Sequence, residues 1–155
     1  MKRKYRLLRE AAYREGVESF ARLCGEPTFR EFVCLYIAEG YKRSRHTVSI
    51  CNSDPSVMVL SDRWIRRLTR RPVDYVVTYH PDQHEAELRA FWGGVLDVAP
   101  ADIRCTRKSN SGRLSGRVWR CRHGVLAVSS HDTYFRARLG AWVDLVKADW
   151  AEFTG

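Results

Sequence analysis

The chain has 155 residues, with 27 Lys and Arg against 18 Asp and Glu, a net charge of +9 and 45% hydrophobic residues. That apolar share can fill a core, so wholesale disorder is excluded, and the length predicts one domain. The longest apolar run, 32–38, is seven residues, far below the ~20 of a membrane helix; with no apolar stretch behind Met1-Lys2-Arg3-Lys4-Tyr5, the expectation is a soluble, cytoplasmic chain with no signal peptide and no membrane partner.

Residues 5–23 read as one or two short helices, interrupted near Gly16 and ended by Gly25-Glu26-Pro27. Thr28 is the predicted N-cap of the next helix, with Glu31 completing a capping box. Phe29, Phe32, Val33, Tyr36 and Ile37 recur at helical spacing, and Gly40 closes that helix as a C-cap. Residues 46–51 suit a strand. Asn52-Ser53-Asp54-Pro55 is a strong helix start, Asp54 capping and Pro55 taking the first position. Val57, Leu60, Trp64, Ile65 and Leu68 are its apolar stripe. Val73, Tyr75, Val77 and Tyr79 alternate as a half-buried strand does, and His80-Pro81-Asp82 breaks it. Leu88, Phe91, Trp92 and Val95 predict a helix weakened by Gly93-Gly94. Residues 103–108 predict a strand, 109–116 a loop, and 117–130 a strand bent at Gly124. His131-Asp132-Thr133 leads into a last helix with Phe135, Leu139, Trp142, Val143, Val146 and Trp150 on one side. This order predicts an α/β (α+β) fold with one antiparallel sheet backed by helices. A doubly wound parallel sheet is disfavoured, because strands and long crossover helices do not alternate regularly. Residues 1–25 read as an N-terminal helical extension and 26–155 as the domain.

The charge is unevenly placed. Residues 103–130 contain no acid and seven cations: Arg104, Arg107, Lys108, Arg113, Arg117, Arg120 and Arg122. A second cluster is Lys42, Arg43 and Arg45, and a third is Arg63, Arg66, Arg67, Arg70 and Arg71. An ordinary solvated surface mixes signs, so the acid-free window predicts a nucleic-acid footprint. Arginine outnumbers lysine 22 to 5. A GC-rich genome accounts for part of that ratio but not for the clustering, and the guanidinium fork suits phosphate oxygens. Trp119, among these arginines, is either a base-stacking residue or a core residue.

Other chemistries find little footing. The five cysteines are odd in number and form no CxxC pair, which argues against a disulfide framework or a zinc ribbon. His80 and His84 are four apart, but Pro81 opposes a continuous helix across them. Cys121 and His123 alternate on the predicted last strand, a poor metal pair. No GxSxG, Walker A or GxGxxG motif is present.

Phe32-Val33-Cys34-Leu35-Tyr36-Ile37-Ala38-Glu39-Gly40 resembles the LAGLIDADG motif, with small residues at the third and seventh places, an acid at the eighth and glycine at the ninth. A plain core helix with a surface glutamate before a glycine is the alternative. Glu26-Pro27-Thr28-Phe29, Asn52-Ser53-Asp54-Pro55, Arg107-Lys108-Ser109-Asn110-Ser111 and 132–139 extend the likeness to LAGLIDADG homing endonuclease-like proteins of the small, single-motif, actinobacterial type. In that family the motif helix is followed by a strand pair, a helix, a second strand pair and a final helix. The resemblance implies double-stranded DNA as partner and a homodimer through Cys34 and Ala38, since only one motif is present. It also implies Glu39 and Gly40 at a Mg²⁺ site shared by two copies, with Lys108 assisting hydrolysis of a phosphodiester; a phosphate contact is the other role open to Lys108. The DNA-binding residues it implies are Arg43, Arg45, Arg104, Arg107, Arg113, Arg117, Arg120 and Arg122, and the implied location is the nucleoid. Relative to the family pattern, the helix within 82–96 is an insertion, the first strand after Gly40 is very short, and the acid is Glu rather than Asp. A non-cleaving DNA-binding regulator and an RNA-binding protein are the other readings.

Overall fold

Local chemistry starts two helices where the sequence places them. In the computed structural model, which describes residues 1–108 and 121–153, Asp54 Oδ1 accepts a hydrogen bond from Ser56 N at 2.8 Å, and Pro55 opens α3 (Pro55–Leu68). Asp132 Oδ1 likewise accepts from Phe135 N at 2.9 Å at the start of α5 (Thr133–Phe153). Both carboxylates satisfy amide groups that a helix start leaves without partners.

The helix α2 (Phe29–Glu39) starts differently. Thr28 sits at φ 69°, and its side chain makes no capping bond. Its hydroxyl accepts from the Trp64 indole N–H at 2.9 Å instead. The predicted capping box is therefore absent: a buried indole N–H needs an acceptor more than an accessible helix start needs a cap. At the other end Gly40 is extended, not left-handed. It must be glycine because a Cβ there would collide with the ring and carbonyl of Tyr36, whose hydroxyl donates to Tyr41 O at 2.6 Å.

The first helix, α1 (Lys2–Cys24), runs unbroken through Gly16. The predicted interruption fails because Gly16 is a packing residue. A Cβ on it would lie 2.9 Å from Arg138 O and 3.0 Å from Ala141 Cβ of α5. Its carbonyl accepts from Trp142 Nε1 at 2.9 Å, and Tyr13 Oη donates to Asp144 Oδ2 at 2.7 Å. Glycine inside a helix costs about 1 kcal/mol relative to alanine; here the cost is offset by backbone-close contact between α1 and α5.

Four strands form one sheet in the order β1 (Val48–Asn52), β4 (Val125–Ser130), β2 (Asp74–Tyr79), β3 (Ile103–Arg107). Strand β4 pairs antiparallel with both β1 and β2, as expected, but β2 and β3 are parallel. The sheet is thus mixed. Between β2 and β3 the chain passes through α4 (Glu85–Leu96) and a 3₁₀ turn, Pro100–Asp102. A helix of this length returns the chain to the end from which β2 began, so the next strand runs the same way. Gly40 adds a single antiparallel bridge to Ile50, and Tyr41 N donates to Ser49 O at 2.9 Å. The expected strand over 117–130 begins at Val125; its first four residues lie outside the described residues, and 121–124 is a turn.

One face of the sheet is buried. Val48, Ile50, Tyr75, Val77, Ile103, Leu126 and Val128 join residues of all five helices in one hydrophobic cluster. Asp62 of α3 is drawn in too: it accepts from Tyr75 Oη at 2.7 Å, and Arg66 bridges it to Leu96 O at 3.2 Å. Burial, together with the bond to Asp62, pushes the Tyr75 phenol up to about 12.

Gly16→Leu is expected to lower the unfolding free energy by about 3 kcal/mol, because the new side chain has no room against α5. A urea melt reads this as a lower midpoint at unchanged slope. A midpoint equal to wild type would mean that α1 does not lie against α5 at Gly16.

Candidate nucleic-acid interface

Strand alternation assigns the second face of the sheet. It carries Ser49 and Cys51 of β1, Val125, Ala127 and Ser129 of β4, Asp74, Val76 and Thr78 of β2, and Arg104 and Thr106 of β3. Cys51, Thr78, Arg104 and Thr106 are exposed, and the others are half-buried. Small side chains keep this surface low, and Ser49 and Ser129 share a hydrogen bond of 2.8 Å across it.

One end of this face is built around two chain segments. Arg107 closes β3, and Lys108 N donates to Tyr79 O at 2.9 Å, so the pairing continues one residue further. Beside it, the turn 121–124 is held by Gln83, whose Nε2 donates to Cys121 O and to Arg122 O, each at 2.9 Å. Gly124 takes φ +66°, and a Cβ there would come within 2.7 Å of Thr78 O. The His123 ring stacks on Phe91 with 3.5 Å between centroids, and its carbonyl accepts from Trp92 Nε1 at 2.7 Å. Burial first, and the Arg122 charge second, lower the His123 pKa. Cys121 and His123 therefore sit in a turn, not on a strand, and His123 serves packing. The result is a fixed turn that presents exposed Arg122 at the same end of the sheet as exposed Lys108, with β2 between their strands.

The sequence-predicted residues divide. Arg104 lies on this face, near the start of β3, and Lys108 and Arg122 lie at this end, while Arg107 alternates with Ile103 and Cys105 to the helix side of the same end. Arg43 and Arg45 are exposed in the segment leading into β1, at the opposite edge of the sheet. Arg113, Arg117, Arg120 and Trp119 lie outside the described residues. Of the third cluster, Arg66 is bound to Asp62, while Arg67 pairs with Glu26 and lies 4.9 Å from the Trp64 ring centroid. These two serve the fold; Arg70 and Arg71 are exposed beyond the end of α3.

Glu39 is exposed at the end of α2, with Ala38 exposed and Cys34 half-buried on the same helix. Gly40, next to it, is spent on the bridge to β1 and on accommodating Tyr36. Lys108 follows β3, and four strand spacings separate that edge from Gly40, roughly 19 Å at ~4.8 Å each. Within one chain, then, Glu39 and Lys108 are not brought together. Among the described residues, no three His, Cys, Asp or Glu side chains gather in a way that could hold a metal ion. A cation at Glu39 needs the carboxylate of a second copy.

At the other end of the sheet, Asp132 does more than start α5: it organises the junction of α3, β4 and α5. Its Oδ2 accepts from Thr69 Oγ1 at 3.0 Å and from Arg70 N at 2.9 Å, while Oδ1 holds Phe135 N. Ser130 Oγ lies 2.7 Å from Thr69 Oγ1 and 3.1 Å from Pro72 O, and its one hydroxyl proton serves either acceptor. Burial pushes Asp132 up, but bonds from Phe135 N, Arg70 N, the Thr69 hydroxyl and Tyr134 N outweigh it and hold its pKa below 3.8. Two reciprocal contacts lie alongside: His46 Nδ1 to Thr133 Oγ1 at 2.8 Å, and His131 Nδ1 to Thr47 Oγ1 at 3.1 Å.

No protein-family model, curated protein or solved structure matches this chain. Among the described residues, no helix is long and apolar enough to cross a membrane.

Asp132→Ala strands two amides and a hydroxyl, and should cost about 2 kcal/mol or more near neutral pH. A carboxylate whose folded pKa is depressed stabilises above its unfolded value of 3.8 and loses that contribution as pH falls through the folded value. The gap in melting temperature between wild type and Asp132→Ala should therefore narrow below pH 4. A gap that stays constant to low pH would contradict the assigned charge.

Proposed function

We propose that the chain binds double-stranded DNA with the outer face of its sheet, as a homodimer. The observation that carries this reading is the placement of Arg104 on that face with Lys108 and Arg122 at one end of it, the last held by a turn fixed through Gln83. Guanidinium groups on a low, partly open sheet can straddle a phosphate backbone, while small residues between them admit the bulk of a duplex. The order of elements lends support. After α2 come the short 40–41 segment paired with β1, then α3, then the antiparallel β2 and β4, then α5. The LAGLIDADG resemblance implies a motif helix, a strand pair, a helix, a second strand pair and a final helix, with the helix within 82–96 as an insertion; β3, parallel to β2, is a further departure from that pattern. The half-buried Cys34 and exposed Ala38 leave one face of α2 open to a second copy.

A second reading adds metal-dependent cleavage, and the exposure of Glu39 at the end of that face favours it. Two copies docked through α2 would bring two Glu39 carboxylates together, and oxygen ligands of that kind suit Mg²⁺. Bound there, the ion would activate water for attack on a phosphodiester. Lys108 then acts as a phosphate contact, since it sits across the sheet from its own Glu39.

Binding measured by fluorescence anisotropy should fall steeply with salt, log K losing about 0.9 per phosphate contact for each decade. Replacing Arg104 and Arg122 with alanine should flatten the slope by up to about two units. An affinity indifferent to salt, or unmoved by these two changes, would refute the proposed face.

Ala38→Arg, at an exposed position, should leave the fold intact and give monomers in sedimentation. It should also abolish any rise in melting temperature caused by Mg²⁺, as should Glu39→Gln. A dimer that survives Ala38→Arg means that α2 is not the interface. A Mg²⁺ effect that survives Glu39→Gln means that this carboxylate does not hold the ion.

A further inference from the structure

A cleft of about 1210 Å³ opens where the first turns of α1 face the starts of β1 and α5 and the end of α3. One wall carries Lys2, Arg3, Arg6 and Arg9. Residues 2, 6 and 9 are spaced i, i+4, i+7 and so share one helix face. The opposite wall carries Arg45, Arg70 and Arg71. Four separate stretches of chain thus meet to line one cavity, and three of them contribute cations.

Little within the protein neutralises this charge. Among the described residues, the cleft's Lys and Arg side chains make one ion pair, Arg6 with Glu10 at 3.6 Å. The acid lining the cleft, Asp132, has both oxygens engaged by Thr69 Oγ1, Arg70 N and Phe135 N. His46 and His131 line it as well, each with Nδ1 tied to a threonine hydroxyl. The Arg70 guanidinium lies 4.6 Å from the Tyr134 ring centroid, and the Tyr5 ring meets His46 edge-on at 5.8 Å. Facing cations raise the local potential and oppose compaction unless an anion occupies the space between them.

We propose that this cleft is a binding site for linked phosphate groups. Seven cations on two walls exceed what one phosphate can engage. The α1 stripe from residue 2 to residue 9 spans roughly 10 Å at 1.5 Å per residue. That is about three phosphates at the ~3.4 Å axial rise per phosphate of one DNA strand. The ligand is therefore a chain of phosphates, supplied either by a free polyphosphate or by the backbone of a nucleic-acid strand. Arginine forks bind its oxygens in pairs, and the two walls grip it from both sides. The site is distinct from the sheet face and does not depend on that face binding DNA.

The test is calorimetric titration of the full chain with sodium tripolyphosphate and, in parallel, with a twelve-residue oligothymidylate. The comparison is between wild type, a cleft variant (Arg3→Ala with Arg71→Ala) and a control that removes the same charge elsewhere (Arg22→Ala with Arg63→Ala). Wild type and control should bind tripolyphosphate alike, and the cleft variant at least about tenfold more weakly. Oligothymidylate that competes with tripolyphosphate identifies a nucleic-acid strand as the source; oligothymidylate that fails to compete identifies free polyphosphate. No binding by wild type, or equal weakening in the control, overturns the site. Arg104→Ala with Arg122→Ala should leave tripolyphosphate binding unchanged, so the cleft and the sheet face succeed or fail separately.

Discussion

Phe29 is where the helices meet. Its ring, fully buried, takes edge-on contacts from Phe20 of α1 at 6.3 Å, Trp64 of α3 at 5.4 Å and Trp142 of α5 at 5.1 Å. Each indole then spends its N–H on a neighbouring segment: Trp64 on Thr28, Trp142 on Gly16. Aromatic contacts of this kind contribute about 0.5–1.5 kcal/mol each beyond burial. They also constrain position, since a wide ring leaves little freedom in how its neighbours approach. Because this cluster draws α1, α2, α3 and α5 together on one side, the sheet has its apolar face covered and its small, polar face left partly open.

Arginine plays two parts here. Some guanidiniums are consumed by the fold. Arg66 holds Asp62 and Leu96 O, Arg67 pairs with Glu26 over Trp64, and Arg138, nearly buried, pairs with Glu15 at 2.5 Å beside Trp142. Others stand at the two ends of the sheet, exposed, on backbone that is held rigidly by hydrogen bonds to Gln83 or to Asp132. Rigid backbone beneath an exposed cation limits the entropy lost when an anion binds. That difference in support, more than the net charge, separates structural arginines from those available to a partner.

The segment between β2 and β4 gives the sheet its parallel edge. By adding α4 and β3 it extends the outer face with Arg104 and Thr106, and it sets Lys108 at the far edge from Glu39. The same segment supplies Gln83, Phe91 and Trp92, which together fix the 121–124 turn. Residues between β2 and β4 thus build and brace the basic end of the proposed interface.

The sequence by itself determined what is encoded within a few residues. Asp54-Pro55 and Asp132 start helices through bonds that close inside one turn. The period-two pattern of 73–79 and the helical spacing of 29–37 were legible because each reports burial on one face. The basic window was legible as composition, though part of it lies outside the described residues. What only the tertiary structure decided depends on partners distant in the chain. Gly16 looked like a break because glycine disfavours helix, until α5 was placed 122 positions later at Arg138. Thr28 looked like a cap until Trp64 claimed its hydroxyl. The parallel pairing of β2 with β3, the distance between Glu39 and Lys108, and the gathering of residues 2–9, 45–46, 70–71 and 131–134 around one cleft share that origin. Local hydrogen bonds and periodicity are written in the order of residues, whereas strand partners and side-chain pairs are selected by how the whole apolar surface can be buried at once.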